Sequence, residues 1–167
     1  MIKSPEPDAD SVNAQLAGFL SARKEEMIRA WARRVDADPA IRTERLTRSQ
    51  LRNHLPQLFD DLAQTLRRYG SEDVAGRSER DAEKHGAERW QEGFSLAELL
   101  REVLHLRGVL IYHLKVFEES HADFGTAARL FAQTAVHQFL DELAIDAAEQ
   151  FLASEKQARR GASGVVL

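Results

Sequence analysis

Gly93-Phe94-Ser95-Leu96-Ala97-Glu98-Leu99-Leu100-Arg101-Glu102-Val103-Leu104-His105-Leu106-Arg107 contains the start of a helix. A serine followed three residues later by a glutamate, at the head of an apolar run, is a capping box. The Ser95 hydroxyl takes the amide three positions on, and Glu98 reaches back to the serine amide. Gly93, just before it, ends the preceding helix. From Leu96 onward, Leu96, Leu99, Leu100, Val103, Leu104, Leu110, Leu114 and Phe117 recur at three- and four-residue spacing, predicting a buried helical face that runs to about Glu119.

The same grammar extends in both directions. No residue after Pro56 in this 167-residue chain is proline, and an interior proline costs a helix about 3 kcal/mol. A first helix is predicted from Ser11 to Asp36, with Leu16, Phe19, Leu20, Met27, Trp31 and Val35 at helical spacing, broken by Asp36-Ala-Asp-Pro39. Thr47 caps a second helix running to about Tyr69, with Gly70 just past its end; Pro56 inside it predicts a kink or a later start. A third, more polar helix covers about Ser78 to Glu92. It carries Gly86 mid-helix at a cost of about 1 kcal/mol, for which close approach of another helix is a reason. The last helix runs from about Phe124 to Arg159, roughly 54 Å at 1.5 Å per residue. Its stripe runs from Leu130 and Phe131 through Phe139, Leu140 and Leu143 to Phe151, and beyond Leu152 nothing is left to bury. The expected organisation is a disordered leader over 1–10, a helical domain over 11–152, and an exit helix with a disordered tail or linker stub over 153–167.

Composition excludes several function classes. With 23 basic and 27 acidic residues the net charge is −4, against the basic footprint of nucleic-acid binding. Absence of cysteine removes disulfides, thiolate metal sites and cysteine nucleophiles. No apolar run approaches the ~20 residues of a membrane span. The polar, acidic Met1–Asp10 is no secretory segment, so the expected compartment is the cytoplasm. There is no glycine-rich phosphate loop, no His-Glu-x-x-His helix and no Gly-x-Ser-x-Gly elbow. Glu102/His105 and Glu118/His121 have the Glu-x-x-His spacing of di-iron sites but lie on one segment, whereas such a centre needs facing helices. No metal and no cofactor are expected.

One constellation stands out. His85 and Arg89 are four residues apart and share a helix face. In the fourth helix, Arg107 occupies the seam position between Val103 and Leu110. A guanidinium there is expensive unless an acceptor meets it, and Glu88, Glu92 and Glu102 are candidates. Three readings stand: an internal salt bridge or a snorkelling arginine, a pocket for an anionic or polar ligand built on His85, Arg89, Glu102 and Arg107, or a dimer interface. On the last helix, Phe131, Phe139, Leu143 and Phe151 are the candidate dimer or output face.

The run His85-Gly86-x-x-Arg89-Trp90-x-x-Gly93-Phe94-Ser95-Leu96-x-Glu98-Leu99-Leu100-x-Glu102-x-x-x-Leu106-Arg107 resembles the N-terminal sensor domain of the RsbR-type stressosome co-antagonists, found also at the front of many bacterial sensor histidine kinases. The helix layout extends the likeness to roughly residues 12–152. The resemblance implies an all-α, globin-like bundle of about five helices that binds no haem, dimerises, and passes a signal through its long last helix. The implied function is a signal-sensing regulatory domain of a bacterial two-component histidine kinase or stress-signalling protein, not itself an enzyme. Its implied partners are a second copy and a downstream kinase or signalling domain, with an unidentified small ligand besides. No His-Glu-Leu-Arg phosphoacceptor and no ATP-binding glycine box occurs in the sequence, so the expectation is an excised sensor domain or a protein acting through partners. The alternatives are a haem or small-molecule-binding globin-like module and a small helical enzyme working through the His85 cluster.

Overall fold

The computed structural model describes residues 9–68, 75–122 and 124–163. These form helices α1 (Ala9–Ala22), α2 (Lys24–Asp36), α3 (Arg48–Arg52), α4 (Leu55–Arg67), α5 (Ala75–Gln91), α6 (Leu96–Ser120) and α7 (Thr126–Ser163), with a 3-10 turn at Thr43–Arg45 and no strand among them. The all-α expectation holds, and the long last helix is there. Of the leader expected over 1–10, residues 1–8 lie outside the described residues and Ala9 and Asp10 open α1; of the stretch 153–167, residues 153–163 continue α7 and 164–167 lie outside, as does Gly70.

The predicted first helix is two helices. The backbone leaves helical geometry at Arg23 (φ −107°, ψ 10°), where no glycine or proline marks a break. Tertiary packing supplies the reason, because α1 lies against α4 and α7 whereas α2 lies against α6. The predicted second helix is also divided. Thr47 caps α3 through a full capping box with Gln50. Pro56 then falls in the first turn of α4, where its missing N–H leaves no bond unmade.

Helix α6 begins as its capping box demands: the Glu98 amide donates to Ser95 Oγ at 3.2 Å, and the Ser95 amide to Glu98 Oε2 at 2.7 Å. Its buried face differs from the predicted one by one position. Leu100 and Leu104 are exposed at 41% and 60%, whereas Glu102, Leu106 and His113 are buried. Leu99, Val103, Leu106, Leu110, Leu114 and Phe117 form the inward stripe. A carboxylate tolerated inside by its partner shifts the stripe, which apolar spacing alone does not reveal.

Helix α7 crosses the bundle and makes its closest approach to α5. A Cβ at Gly86 would run into the backbone carbonyl oxygen of Ala147, the close approach expected for a mid-helix glycine. Ala135, Val136, Phe139, Leu140, Leu143, Ala147 and Phe151 of α7 are buried, but Leu130, predicted in the stripe, is 61% exposed. After Phe151, the residues from Leu152 to Ser163 carry no buried side chain. Trp31, Leu62, Leu66, Leu99, Leu110, Phe117 and Leu140, all nearly or fully inaccessible, mark the centre of the core.

Candidate functional site

The turn between α5 and α6 builds the site. Gly93 has φ 79°, a left-handed conformation that costs glycine nothing. Its amide bonds to Trp90 O (3.1 Å) while the Phe94 amide bonds to Arg89 O (3.0 Å), the paired bonds of a Schellman helix end. The Phe94 ring then lies 5.1 Å from the Arg89 guanidinium carbon. This corner turns α6 back so that Glu102 faces Arg89.

Arg89 is 1% exposed, as is Glu102. Arg89 Nε donates to Glu102 Oε1 (3.1 Å) and Oε2 (2.9 Å), Nη1 to Glu92 Oε2 (2.6 Å) and Gln50 O (3.3 Å), and Nη2 to Leu51 O (3.1 Å). One side chain therefore ties α5 to α6 and both to α3. His85 Nε2 stands 3.3 Å from Glu102 Oε2. Burial alone would raise the Glu102 carboxyl, but His85 and Arg89 beside it pull it below the usual carboxylate range. Burial likewise works against the Arg89 charge, and Glu102 and Glu92 hold that guanidinium above its ordinary value.

A cavity of about 20 Å³ adjoins this lock, room for one water-sized guest. His54, His85 and Glu102 supply its polar groups, and Trp31, Leu58 and Leu143 much of its apolar wall. The His54 and His85 rings meet edge to face with centroids 6.0 Å apart, and His54 Nε2 contacts Glu88. Trp31 Nε1 donates to Glu102 O at 3.0 Å.

The end of α5, its turn and the first half of α6 are thus organised by the residues quoted above as a motif. The family model of the RsbT co-antagonist protein rsbRD N-terminal domain matches residues 25–164. The chain belongs to that family. It is accordingly a regulatory domain of the stressosome type of signalling. No curated protein and no solved structure matches it. The family match begins at the start of α2, so α1 is an element packed onto the matched body.

In this member of the family the predicted cluster comes together in part. His85, Arg89 and Glu102 are in contact, but Arg107 is not with them. It sits on the shoulder of α6, where Nη2 pairs with Asp141 and Nη1 meets His137 Nδ1 at 2.9 Å, both on α7. The one-residue shift of the α6 stripe puts Leu106 into the cavity wall and turns Arg107 outward. The candidate dimer face on α7 is also corrected. Phe139, Leu143 and Phe151 are buried in the chain's own core and Phe131 is half-buried, while Leu130, Ile145 and Leu152 are the exposed large apolar residues of that helix.

Two partners escaped sequence reasoning. Arg42 donates from Nε to Glu98 Oε1 and from Nη2 to Glu98 Oε2, each at 3.0 Å, so the capping carboxylate also anchors the loop after α2. The Arg42 bond is the leading cause of a Glu98 carboxyl far below its ordinary value. His105, three residues from Glu102, points elsewhere and pairs with Asp38 at 2.8 Å, lowering that carboxyl. Among the described residues no group of three or more His, Asp or Glu side chains converges to hold a metal ion, and no helix is long and apolar enough to cross a membrane.

Proposed function

We propose that this domain is a dimerising sensor that passes a cue to an adjoining output domain through α7, in a stressosome protein or a bacterial sensor histidine kinase of the cytoplasm. The carrying observation is the mismatch between α7 and its own core. The helix runs from Thr126 to Ser163, about 57 Å, yet its buried positions end at Phe151. Such a rod is suited to transmitting a small shift across an interface.

The cavity gives the cue a route to that rod. Its wall includes Leu143 of α7, and α5, which carries His85, Glu88 and Arg89, touches α7 backbone to backbone at Gly86 and Ala147. A change in the charge or occupancy of the His54–His85–Glu102 group therefore presses on α7 without an intermediary. The dimer surface in this reading is the exposed apolar set Leu100 and Leu104 on α6 with Ile145 and Leu152 on α7. Each pair falls on one helical face, four and seven residues apart. A two-fold interface uses such a patch twice.

Light scattering on the purified domain tests this reading. The wild type is expected to be a dimer, and Leu104→Glu and Ile145→Glu are expected to yield folded monomers with unchanged helical circular dichroism. A wild type that stays monomeric at high concentration, or variants that stay dimeric, would overturn it. Leu143→Glu is unsuited to the purpose, because it places a charge in the core and unfolds the chain.

A further inference from the structure

Two histidines meet at the cavity beside the Arg89 lock, and each holds a carboxylate. His54, in the turn between α3 and α4, contacts Glu88 of α5 through Nε2, and His85 Nε2 of α5 stands 3.3 Å from Glu102 Oε2 of α6. Both rings are largely buried, with side chains 12% and 13% exposed, and both line the cavity. Histidine is the one side chain that, unperturbed, changes its charge between about pH 5 and about pH 8. Glu102 stays ionised over that range, because its carboxyl is held below the usual value. The other histidines of the chain lie elsewhere: His105 pairs with Asp38, His113 bonds Val109 O, His121 bonds Phe117 O and His137 meets Arg107.

This corner is short of positive charge. Arg89 faces Glu92 and Glu102 while Glu88 faces His54, so three carboxylates meet one guanidinium. With neutral imidazoles the network carries two net negative charges, and one proton on each ring cancels them. Uncompensated charge is costly where water is excluded, and Glu102 at 1% exposure has no water to relax into. Nothing else packed around the rings supplies the missing charge among the described residues. At the cavity wall α2 presents Trp31, α7 presents Leu143, and α4 presents Leu55 and Leu58. Further along α4, Asp61 is bonded by Gln57. Lys84, next to His85 on α5, is exposed, and Asp146, next to Ala147 on α7, is another acid. From α3, the Gln50 and Leu51 carbonyls accept from Arg89.

The place where a proton would act is one residue away. Gly86 follows His85, and it is there that α5 touches α7, since a Cβ at Gly86 would run into the Ala147 carbonyl oxygen. Backbone against backbone leaves no side chain to absorb a movement, so a displacement of His85 is passed to Ala147. The two rings pack edge to face with centroids 6.0 Å apart. Once charged they repel each other, and each is drawn to its own carboxylate.

We propose that proton uptake by His54 and His85 is the cue this domain reads and that it reaches α7 through the Gly86–Ala147 contact, an inference that rests on the sensor reading above and names its stimulus. Acidification charges the rings, tightens His85 on Glu102 and His54 on Glu88, and shifts α5 against α7.

The test is a nuclear magnetic resonance titration of the isotope-labelled chain from about pH 8 to about pH 5, following histidine ring protons and the backbone amides of α7. The Ala147 amide is expected to move with the midpoint of the His54 or His85 ring. His85→Gln keeps a donor for Glu102 but takes up no proton, and it is expected to abolish the Ala147 response with unaltered circular dichroism. His137→Gln, on α7 itself, and His105→Gln are expected to leave that response intact. An Ala147 amide that does not move, that follows the midpoint of another histidine, or whose movement survives His85→Gln would overturn the proposal. The comparison of midpoints is made in the wild type, so it decides even where His85→Gln does not fold. The signal arises within one chain and is read with or without a dimer, whereas light scattering on the same sample shows separately whether the dimer reading fails.

Discussion

Arg89 and Glu102 stay charged in the interior because each supplies what the other lacks, and three helices depend on the result. Removing one partner from a buried pair costs roughly 3–5 kcal/mol, whereas replacing both by apolar groups is often neutral. Arg89→Met is therefore expected to lower the thermal midpoint by about 10 °C, at roughly 2–4 °C per kcal/mol for a chain this size. Arg89→Met with Glu102→Met should recover most of that loss, as followed by circular dichroism. Because the Glu102 carboxyl is lower folded than unfolded, its contribution is fully present above the unfolded carboxylate value of about 4.3 and is lost as the pH falls through the folded value. Glu102→Gln should accordingly be less stable at neutral pH and show a shallower acid limb in urea unfolding. Asn13 presents the opposite situation, being 1% exposed with neither side-chain atom hydrogen-bonded among the described residues. Asn13→Leu is expected to raise stability by about 1 kcal/mol in urea titration, through removal of an unsatisfied buried amide.

Glycine separates two kinds of helix contact. Gly18 of α1 has open space around it, whereas Gly86 of α5 faces the Ala147 carbonyl of α7. Gly18→Ala should therefore gain about 0.5–1 kcal/mol from reduced unfolded-state freedom. Gly86→Ala should lose roughly 1–3 kcal/mol despite its better propensity, because α5 must back away from α7. Urea titration of the two variants should give shifts of opposite sign. At this scale the sequence was legible wherever a local rule applied: the Ser95 box, the Gly93 stop, the Thr47 cap and the glycine at the helix crossing. It was not legible where tertiary packing decided. The break at Arg23 has no breaker residue, and the α6 stripe moved by one position because Glu102 is admitted by Arg89, a partner on another helix. Arg42 and Asp38 belong to the loop after α2, and nothing in their spacing points to Glu98 or His105.

At the scale of the whole molecule the bundle divides into a locked corner and a free rod. The α3–α5–α6 corner is fixed by Arg89, while α7 takes its close contact from α5 and then outruns the core after Phe151. In the proposed sensor, two such rods leave the domain side by side across an interface built on Leu104 and Ile145. The lack of cysteine in the chain makes a direct measurement simple, because one introduced thiol carries one label. Lys156→Cys, exposed on α7 beyond the core, labelled with a nitroxide and examined by pulsed dipolar spectroscopy, is predicted to give a single narrow, short distance between copies, abolished by Ile145→Glu. A labelled protein with no dipolar modulation, or with a broad distribution untouched by Ile145→Glu, would contradict the account.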